Sequence, residues 1–279
     1  MAIIKFPKKK KNAGDHLLRD HLQPPITLVP IVLSFIDISS CDGNDELAHQ
    51  IHDPFGDVMP EFYIIGSCNG LLCLHNSLFY DPIFVYNPFT QAFVELPKSM
   101  LSSKRKRPRS DQYGIQEVVF GFGYHPKVCE YKVVKIAYYR NSWNEKLQPQ
   151  RSNVQVFTLG TNIWRSIGKI PCLLEGRHPS EALVKGRLHW VTRRRNLYQI
   201  VSFDLADEQF RKFQGPAGSA WNCLRLSLAV VDGCLTATIE RHCYRLEIWI
   251  LKDYDVPRSW MKKYNLIPDL PIRVFKNNS

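Results

Sequence analysis

The side chains that could do chemistry are eight cysteines, at 41, 68, 73, 129, 172, 223, 234 and 243, nine histidines, and three clusters of basic residues. Covalent catalysis needs a nucleophile beside a base, and the chain has neither a Gly-x-Ser-x-Gly elbow nor a catalytic cysteine signature. Cys68 and Cys73 flank Asn69-Gly70 on apolar stretches. Nothing beside them would lower a thiol pKa, so they read as small core residues. His242 and Cys243 adjoin, but a metal takes three or four ligands at workable spacing and no partner pair is evident. Gly121-Phe122-Gly123 lacks the third glycine and the following helix of a dinucleotide fingerprint. The expectation is a chain with no catalytic residue, no cofactor and no metal.

The basic clusters point to binding instead. Lysine and arginine number 37 against 26 acids, for a net charge of +11. Lys5 with Lys8, Lys9, Lys10 and Lys11 supplies five of these charges, and Lys104, Arg105, Lys106, Arg107 and Arg109 supply five more. Neither window holds an acid, so the rest of the chain carries +1. A nucleic-acid-binding domain spreads its cations over one face to meet a line of phosphates. Here they sit in a terminus and one loop, so nucleic acid is not the expected partner. Arg193, Arg194 and Arg195 form a third cluster, in a hairpin loop after Trp190. Loops are where binding residues concentrate. A surface for an acidic protein partner would therefore include Lys104, Arg105, Lys106, Arg107, Arg109, Arg193, Arg194 and Arg195. The alternative is a nuclear nucleic-acid-binding protein acting through the same loops, since each run also matches an import signal or a nucleic-acid patch. A solvated loop kept soluble by like charges is the plainer reading of such runs.

No Cys-x-x-Cys pair or dense cysteine framework is present, which reads as reduced thiols of the cytoplasm or nucleus. The apolar stretch 26–38 is interrupted by Pro30, Ser34 and Asp37. It is shorter than the ~20 residues a membrane helix needs, so no membrane partner is expected.

The elements that must position these residues are strands. From Phe62 onward apolar and polar residues alternate, with Val, Ile, Tyr and Phe abundant and turn residues every ten or so positions. Asn69-Gly70 favours the left-handed backbone of a tight hairpin. An aromatic at a strand end is followed by another seven residues on at Tyr86/Phe93, Phe157/Trp164 and Phe203/Phe210, and eleven on at Trp249/Trp260. Phe157, Phe203 and Trp249 are spaced by 46 and 46. Tyr86 to Phe157 is 71, and the surplus falls in the basic, serine-rich stretch 98–116. Gly70, Gly186 and Gly233 precede the first aromatic of their units by 16, 17 and 16.

A repeat in the mid-forties built of short strands is what a propeller blade requires, four strands plus turns filling ~40 to 50 positions. Strands of the second unit are expected at 118–124, 131–139, 154–159 and 164–167. Trp164, Trp190, Trp249 and Trp260 read as packing anchors between blades. Asn87, Asp204 and Asp232 read as turn residues whose side chains accept backbone N–H bonds. Four units are visible, so the propeller is expected to be incomplete, and an ordinary meander or sandwich is the competing arrangement. Residues 1–60 form a separate basic, irregular segment with a short helix over 15–22. Residues 61–279 form the sheet domain.

These residues also carry a resemblance. Ile65-Gly66-Ser67-Cys68-Asn69-Gly70-Leu71-Leu72-Cys73-Leu74, then Tyr86-Asn87-Pro88-Phe89-Thr90 and Leu96-Pro97, resembles the opening of the F-box associated domain of plant F-box proteins. Phe120 to Pro126, Tyr131 to Ile136, Val156 to Gly160 with Trp164, Gly186 to Trp190, Val201 to Leu205 with Phe210, and Trp249 with Trp260 follow in the same order. The resemblance covers about 62–264. It implies a kelch-like, all-β propeller of four-stranded units that holds a protein substrate for an SCF-type E3 ubiquitin ligase. In that family an F-box in front docks a Skp1-type adaptor. No F-box signature precedes Phe62, and His16 to Leu22 resembles the stretch just after one. The expectation is thus a truncated receptor, for which the adaptor is a partner only if an F-box lies upstream.

Overall fold

The computed structural model describes residues 33–35, 49–51, 62–76, 80–99, 113–141, 151–174, 182–194, 197–216, 223–242 and 245–267. Within them the chain folds as strands, and no helix is long and apolar enough to cross a membrane. Four antiparallel sheets of four strands follow one another. Unit one is β3 (Phe62–Cys68), β4 (Leu71–Asn76), β5 (Ile83–Tyr86) and β6 (Phe93–Glu95). Unit two is β7 (Tyr113–His125), β8 (Glu130–Asn141), β9 (Arg151–Thr158) and β10 (Trp164–Gly168). Unit three is β11 (Ala182–Val184), β12 (Arg187–Arg194), β13 (Leu197–Asp204) and β14 (Phe210–Phe213). Unit four is β15 (Arg225–Val231), β16 (Cys234–Glu240), β17 (Leu246–Leu251) and β18 (Trp260–Leu266). Each sheet is a simple meander in sequence order. Three of the four expected strands of unit two lie inside longer ones, and the one expected over 154–159 starts earlier, at Arg151, and ends at Thr158. Ahead of them, β1 (Leu33–Phe35) pairs with β2 (His49–Ile51), a short ladder where the sequence offered irregular chain. The helix expected over 15–22 lies outside the described residues.

The turns follow from backbone chemistry. Asn69-Gly70, Lys185-Gly186 and Asp232-Gly233 each place two successive residues at positive φ, between 49° and 77°. This is the two-residue turn that matches strand twist. The seven-residue aromatic spacing is the third-to-fourth-strand turn seen from the side chains. Tyr86 pairs with Phe93, Phe157 with Trp164, and Phe203 with Phe210, each directly across the ladder. The fourth pair, eleven residues apart, is not directly opposed. The longer turn of unit four sets Trp260 opposite Leu251 and Lys262 opposite Trp249. Asn87 Oδ1 accepts the N–H of Phe89 and Thr90, and Asp204 Oδ1 that of Ala206, as turn residues should.

Because side chains alternate, each sheet offers two faces, and neighbouring units bury them on one another. Ile65, Cys73, Ile83 and Val85 of unit one pack on Val118, Phe120, Phe122 and Phe157 of unit two. Val119, Val134, Val154 and Val156 on the opposite face of unit two meet Leu188, Trp190 and Phe203 of unit three. Tyr198 and Ile200 meet Leu226, Ala237 and Ile239 of unit four. The Phe-Gly-Phe-Gly run 120–123 serves both contacts. Its phenylalanines face unit one, and a Cβ on Gly121 would lie 2.7 Å from the Trp190 ring and one on Gly123 2.7 Å from Leu183. The glycines therefore let unit three approach closely.

The two ends of the series differ. The outer face of unit one is a buried cluster of Phe62, Leu72, Leu74, Phe84 and Tyr86. The outer face of unit four exposes Val231, Met261, Tyr264 and Leu266. Among the described residues no core cluster joins unit four to unit one.

Candidate interaction surface

In an antiparallel meander, the first-to-second and third-to-fourth turns of every unit emerge at one end. The second-to-third hairpins and the connections between units emerge at the other. Arg193, at the end of β12, belongs to this second end. It is exposed, and its guanidinium lies 5.1 Å from the ring centroid of Tyr198, its ladder partner. The Tyr198 hydroxyl donates to the Leu224 carbonyl at 2.8 Å, fixing the ring. Arg194 pairs with Leu197 in the same ladder. Arg195 lies outside the described residues, as do Lys104, Arg105, Lys106, Arg107 and Arg109. Those five belong to the connection from β6 to β7, which leaves from the same end as the β12–β13 hairpin.

The first end, which the sequence did not single out, carries clamps between units. Glu208, in the turn before β14, accepts Lys132 Nζ of β8 at 2.9 Å and Arg165 of β10 at 3.0 Å. Lys132 also donates to the Leu205 carbonyl at 2.7 Å. Burial pushes the Glu208 carboxyl up, but the bonds from Arg165 and Lys132 outweigh it and hold it below the usual range. Asp204 is set in the same way by Arg187, 2.8 Å away, with His125 at 3.6 Å. From unit three to unit four, Lys185 reaches Asp255 at 2.7 Å. The buried His189 bonds the Ala182 carbonyl through Nδ1 and the Tyr254 hydroxyl through Nε2, at 3.2 and 2.8 Å. Burial pushes His189 down to about 4, so it is a neutral core residue at physiological pH. Asn69 donates to the Tyr131 hydroxyl at 3.1 Å between units one and two. The side-chain partners that cross from one unit to the next lie 43 to 79 positions apart in sequence, and no local motif announces them.

No reactive constellation accompanies them. Burial raises the thiols of Cys68 and Cys73, which keeps both protonated, in line with their reading as core residues. Among the described residues no group of three metal-ligating side chains converges. A small cleft of about 160 Å³ lies between Val154, Ile167, Lys169, Pro171, Glu208, Gln209 and Phe210. Its one carboxylate is already bound by Lys132 and Arg165. Trp164 and Trp190 are buried, and their indoles donate to the Pro97 and Phe120 carbonyls, each of the preceding unit. Trp260 donates to Gln214 of unit three. The tryptophans thus anchor the units, as their spacing suggested.

Comparison with known proteins agrees with this architecture. The F-box protein At3g07870 of Arabidopsis thaliana is 41% identical over 235 residues, covering 78% of this chain and 54% of the relative. The F-box protein CPR1 of the same plant is 28% identical over 284 residues, covering 94% of this chain and 63% of the relative. The chain thus spans 54% and 63% of these relatives' own length. Among solved structures, oligogalacturonate lyase in complex with manganese is similar at a TM-score of 0.45 and 12% identity, over 85% of this chain and 60% of that one. A likeness at that level says nothing of activity. The family model of the F-box associated beta propeller domain matches residues 31–279, all four units and the β1–β2 ladder included. The chain, with its four meander units and their left-handed turns, belongs to the F-box associated beta propeller family.

Proposed function

We propose that the chain is a protein-interaction module, the substrate-recognition part of an SCF-type ubiquitin ligase receptor, with no catalysis and no cofactor of its own. Its family carries this reading, since relatives similar to it over most of its length are named F-box proteins. The site agrees in kind. Its Glu208 carboxylate is tied up in a clamp between units two and three, its buried Cys73 thiol is held protonated, and exposed Arg193 stands at the end opposite that clamp. The partner held there is a protein substrate with an acidic segment, met in the cytoplasm or nucleus. Where an F-box lies upstream of these units, a Skp1-type adaptor joins the native gene product through it.

The test is affinity purification of the native gene product from its own tissue, with proteasome activity blocked. The expected result is co-purification of a Skp1-type adaptor and of proteins that accumulate when the gene is silenced. A preparation with no adaptor, and a silenced tissue in which no protein changes its lifetime, overturns the reading.

A further inference from the structure

Inward-facing carboxylates in this structure are held by more than one donor side chain. Glu208 takes Lys132 and Arg165, and Glu247 takes Lys262, Arg241 and the Trp249 indole. Asp204 takes Arg187 with His125 close by. Asp81 breaks the pattern. Its side chain is 9% exposed, its Oδ2 accepts Lys135 Nζ at 3.2 Å, and its Oδ1 is buried with no partner. Leaving such an oxygen unmade is costly. Lys135 cannot serve it further, because the same ammonium also donates to Ser99 Oγ at 2.8 Å and to the Tyr80 carbonyl at 3.5 Å.

The surroundings of Asp81 are aromatic and poor in donors. His75 stands 4.6 Å from Phe120, 5.7 Å from Tyr63 and 6.4 Å from Tyr80, ring centre to ring centre. Tyr63 and Tyr80 are 56% and 38% exposed, so two of the four rings face solvent. His75 Nδ1 donates to the Asn76 carbonyl at 2.7 Å, which leaves Nε2 as an acceptor. Burial keeps this ring neutral, with its pKa pushed down to about 4. Gln155, opposite Lys135 in the ladder, has its buried Oε1 likewise unpartnered. The site therefore offers two buried acceptors without donors, Asp81 Oδ1 and Gln155 Oε1, beside the His75 Nε2 acceptor and exposed ring faces. An anion has nothing to bind, since the Lys135 N–H groups are spent. What fits is a flat cation with several N–H groups.

We propose that the Tyr63–His75–Tyr80–Asp81 cluster is a receptor for the guanidinium of an arginine side chain on the protein substrate. This rests on the substrate-receptor reading for its partner, and on the geometry alone for its chemistry. A guanidinium stacks on aromatic faces and donates in a planar fork to a carboxylate. An ammonium is compact, strongly hydrated and does not stack. The arginine completes at Asp81 the Lys-plus-Arg pairing that Glu208 and Glu247 find within the chain. The exposed Tyr80 ring, next to Asp81 in sequence, turns aside to admit it.

The experiment uses the full chain and three blocked amino acids, the amides of N-acetyl-arginine, N-acetyl-citrulline and N-acetyl-lysine, with the His75 and tyrosine ring protons followed by NMR. Citrulline keeps the shape of arginine without its charge. The expected result is a saturable shift of the His75 ring with the arginine amide, weaker by about tenfold or more with the other two. Tyr63→Ala should weaken the arginine response several-fold at unchanged thermal stability, and Asp81→Asn should abolish it. Should Asp81→Asn fail to fold, Tyr63→Ala and Tyr80→Ala decide the matter. Absence of saturation with arginine, equal response to all three probes, or an affinity untouched by both tyrosine variants overturns the proposal. A saturable arginine response in a protein that captures no adaptor sinks only the ligase reading. Adaptor and substrate found without an arginine response sink only this site.

Discussion

The two ends of the units are built on opposite terms. At the end of the left-handed turns, charged side chains reach from one unit to the next and find partners there, as Lys132 and Arg165 do on Glu208 and Lys185 on Asp255. At the other end, the exposed Arg193 lies against a tyrosine of its own hairpin, and Asp81 keeps an unfilled acceptor. An interface that is saturated from within spends its polar groups on cohesion, whereas exposed or unfilled groups are available to another molecule. The comparison points to cohesion at the first end, and under the proposed function recognition falls to the second. Variants at the first end should change melting without changing partner capture, and those at the second should do the reverse.

Among single substitutions, the largest effect is expected from Glu208→Ala. It strips a buried ammonium, Lys132 at 5% exposure, of a close partner and unties units two and three. Removing one member of a buried pair costs about 3–5 kcal/mol, the lower figure applying here because Lys132 keeps Glu130 and the Leu205 carbonyl. Chemical denaturation should show the loss, with partner capture intact at a temperature where the variant is folded. A stable Glu208→Ala protein would mean the clamp is ornamental and break the comparison at its first term.

Acid should act next. His189 and His75 both have folded pKa values pushed down to about 4 from 6.5. A group whose folded pKa lies below its unfolded one stabilises the fold above the unfolded value and withdraws that contribution as pH falls. By linkage each withdraws about 3 kcal/mol between pH 6.5 and 4. Below that, Asp204 and Glu208, held beneath the usual carboxylate range, add a second loss as they protonate. Melting temperature measured against pH should therefore drop in two stages. His189→Gln and His75→Gln should each remove part of the first stage, one from each end of the units. A flat profile from pH 7 to 4 contradicts both assignments.

Gly186→Ala comes third. Gly186 sits at φ +75°, and a Cβ there would lie 2.2 Å from the His125 ring, itself near Asp204. Left-handed strain and the displaced ring together cost about 2–3 kcal/mol. Gly233→Ala, at φ +73° with nothing within 4 Å, isolates the strain alone. The difference between the two variants measures what the His125 contact contributes, and equal losses would show that it contributes nothing.

These comparisons also mark what could be read in advance. Asn69-Gly70, Gly186 and Gly233 announce their turns because backbone sterics act on the residue itself. The seven-residue aromatic spacing survives because a fixed turn length fixes a ladder register, and the eleven-residue interval of Trp249 and Trp260 marks the unit where the turn lengthens. The glycines of 120–123 showed in sequence only that no dinucleotide fingerprint was present. Their task, admitting Trp190 and Leu188, depends on the neighbouring unit. Glu208 and Asp81 looked like any surface acids for the same reason. Their partners stand 43 to 76 and 54 residues away, brought in by the rotation of one sheet against the next.

The smallest effect on stability, and the sharpest test of the second end, is Arg193→Glu. Its contact with Tyr198 is an exposed cation–π pair, worth about 0.5–1 kcal/mol, so melting should hardly move. Capture of an acidic partner should weaken nonetheless, because reversing a charge replaces an attraction with a repulsion at the same place and slows encounter. Arg193→Gln separates the two contributions: it removes the attraction without adding the repulsion, and should fall between. Raising the salt should shrink the gap between wild type and Arg193→Glu, since an exposed charge is screened within a Debye length. A gap that persists at high salt would mean that Arg193 acts by shape, through the Tyr198 ring beneath it, and the recognition end would then owe its selectivity to the aromatic surface rather than to charge.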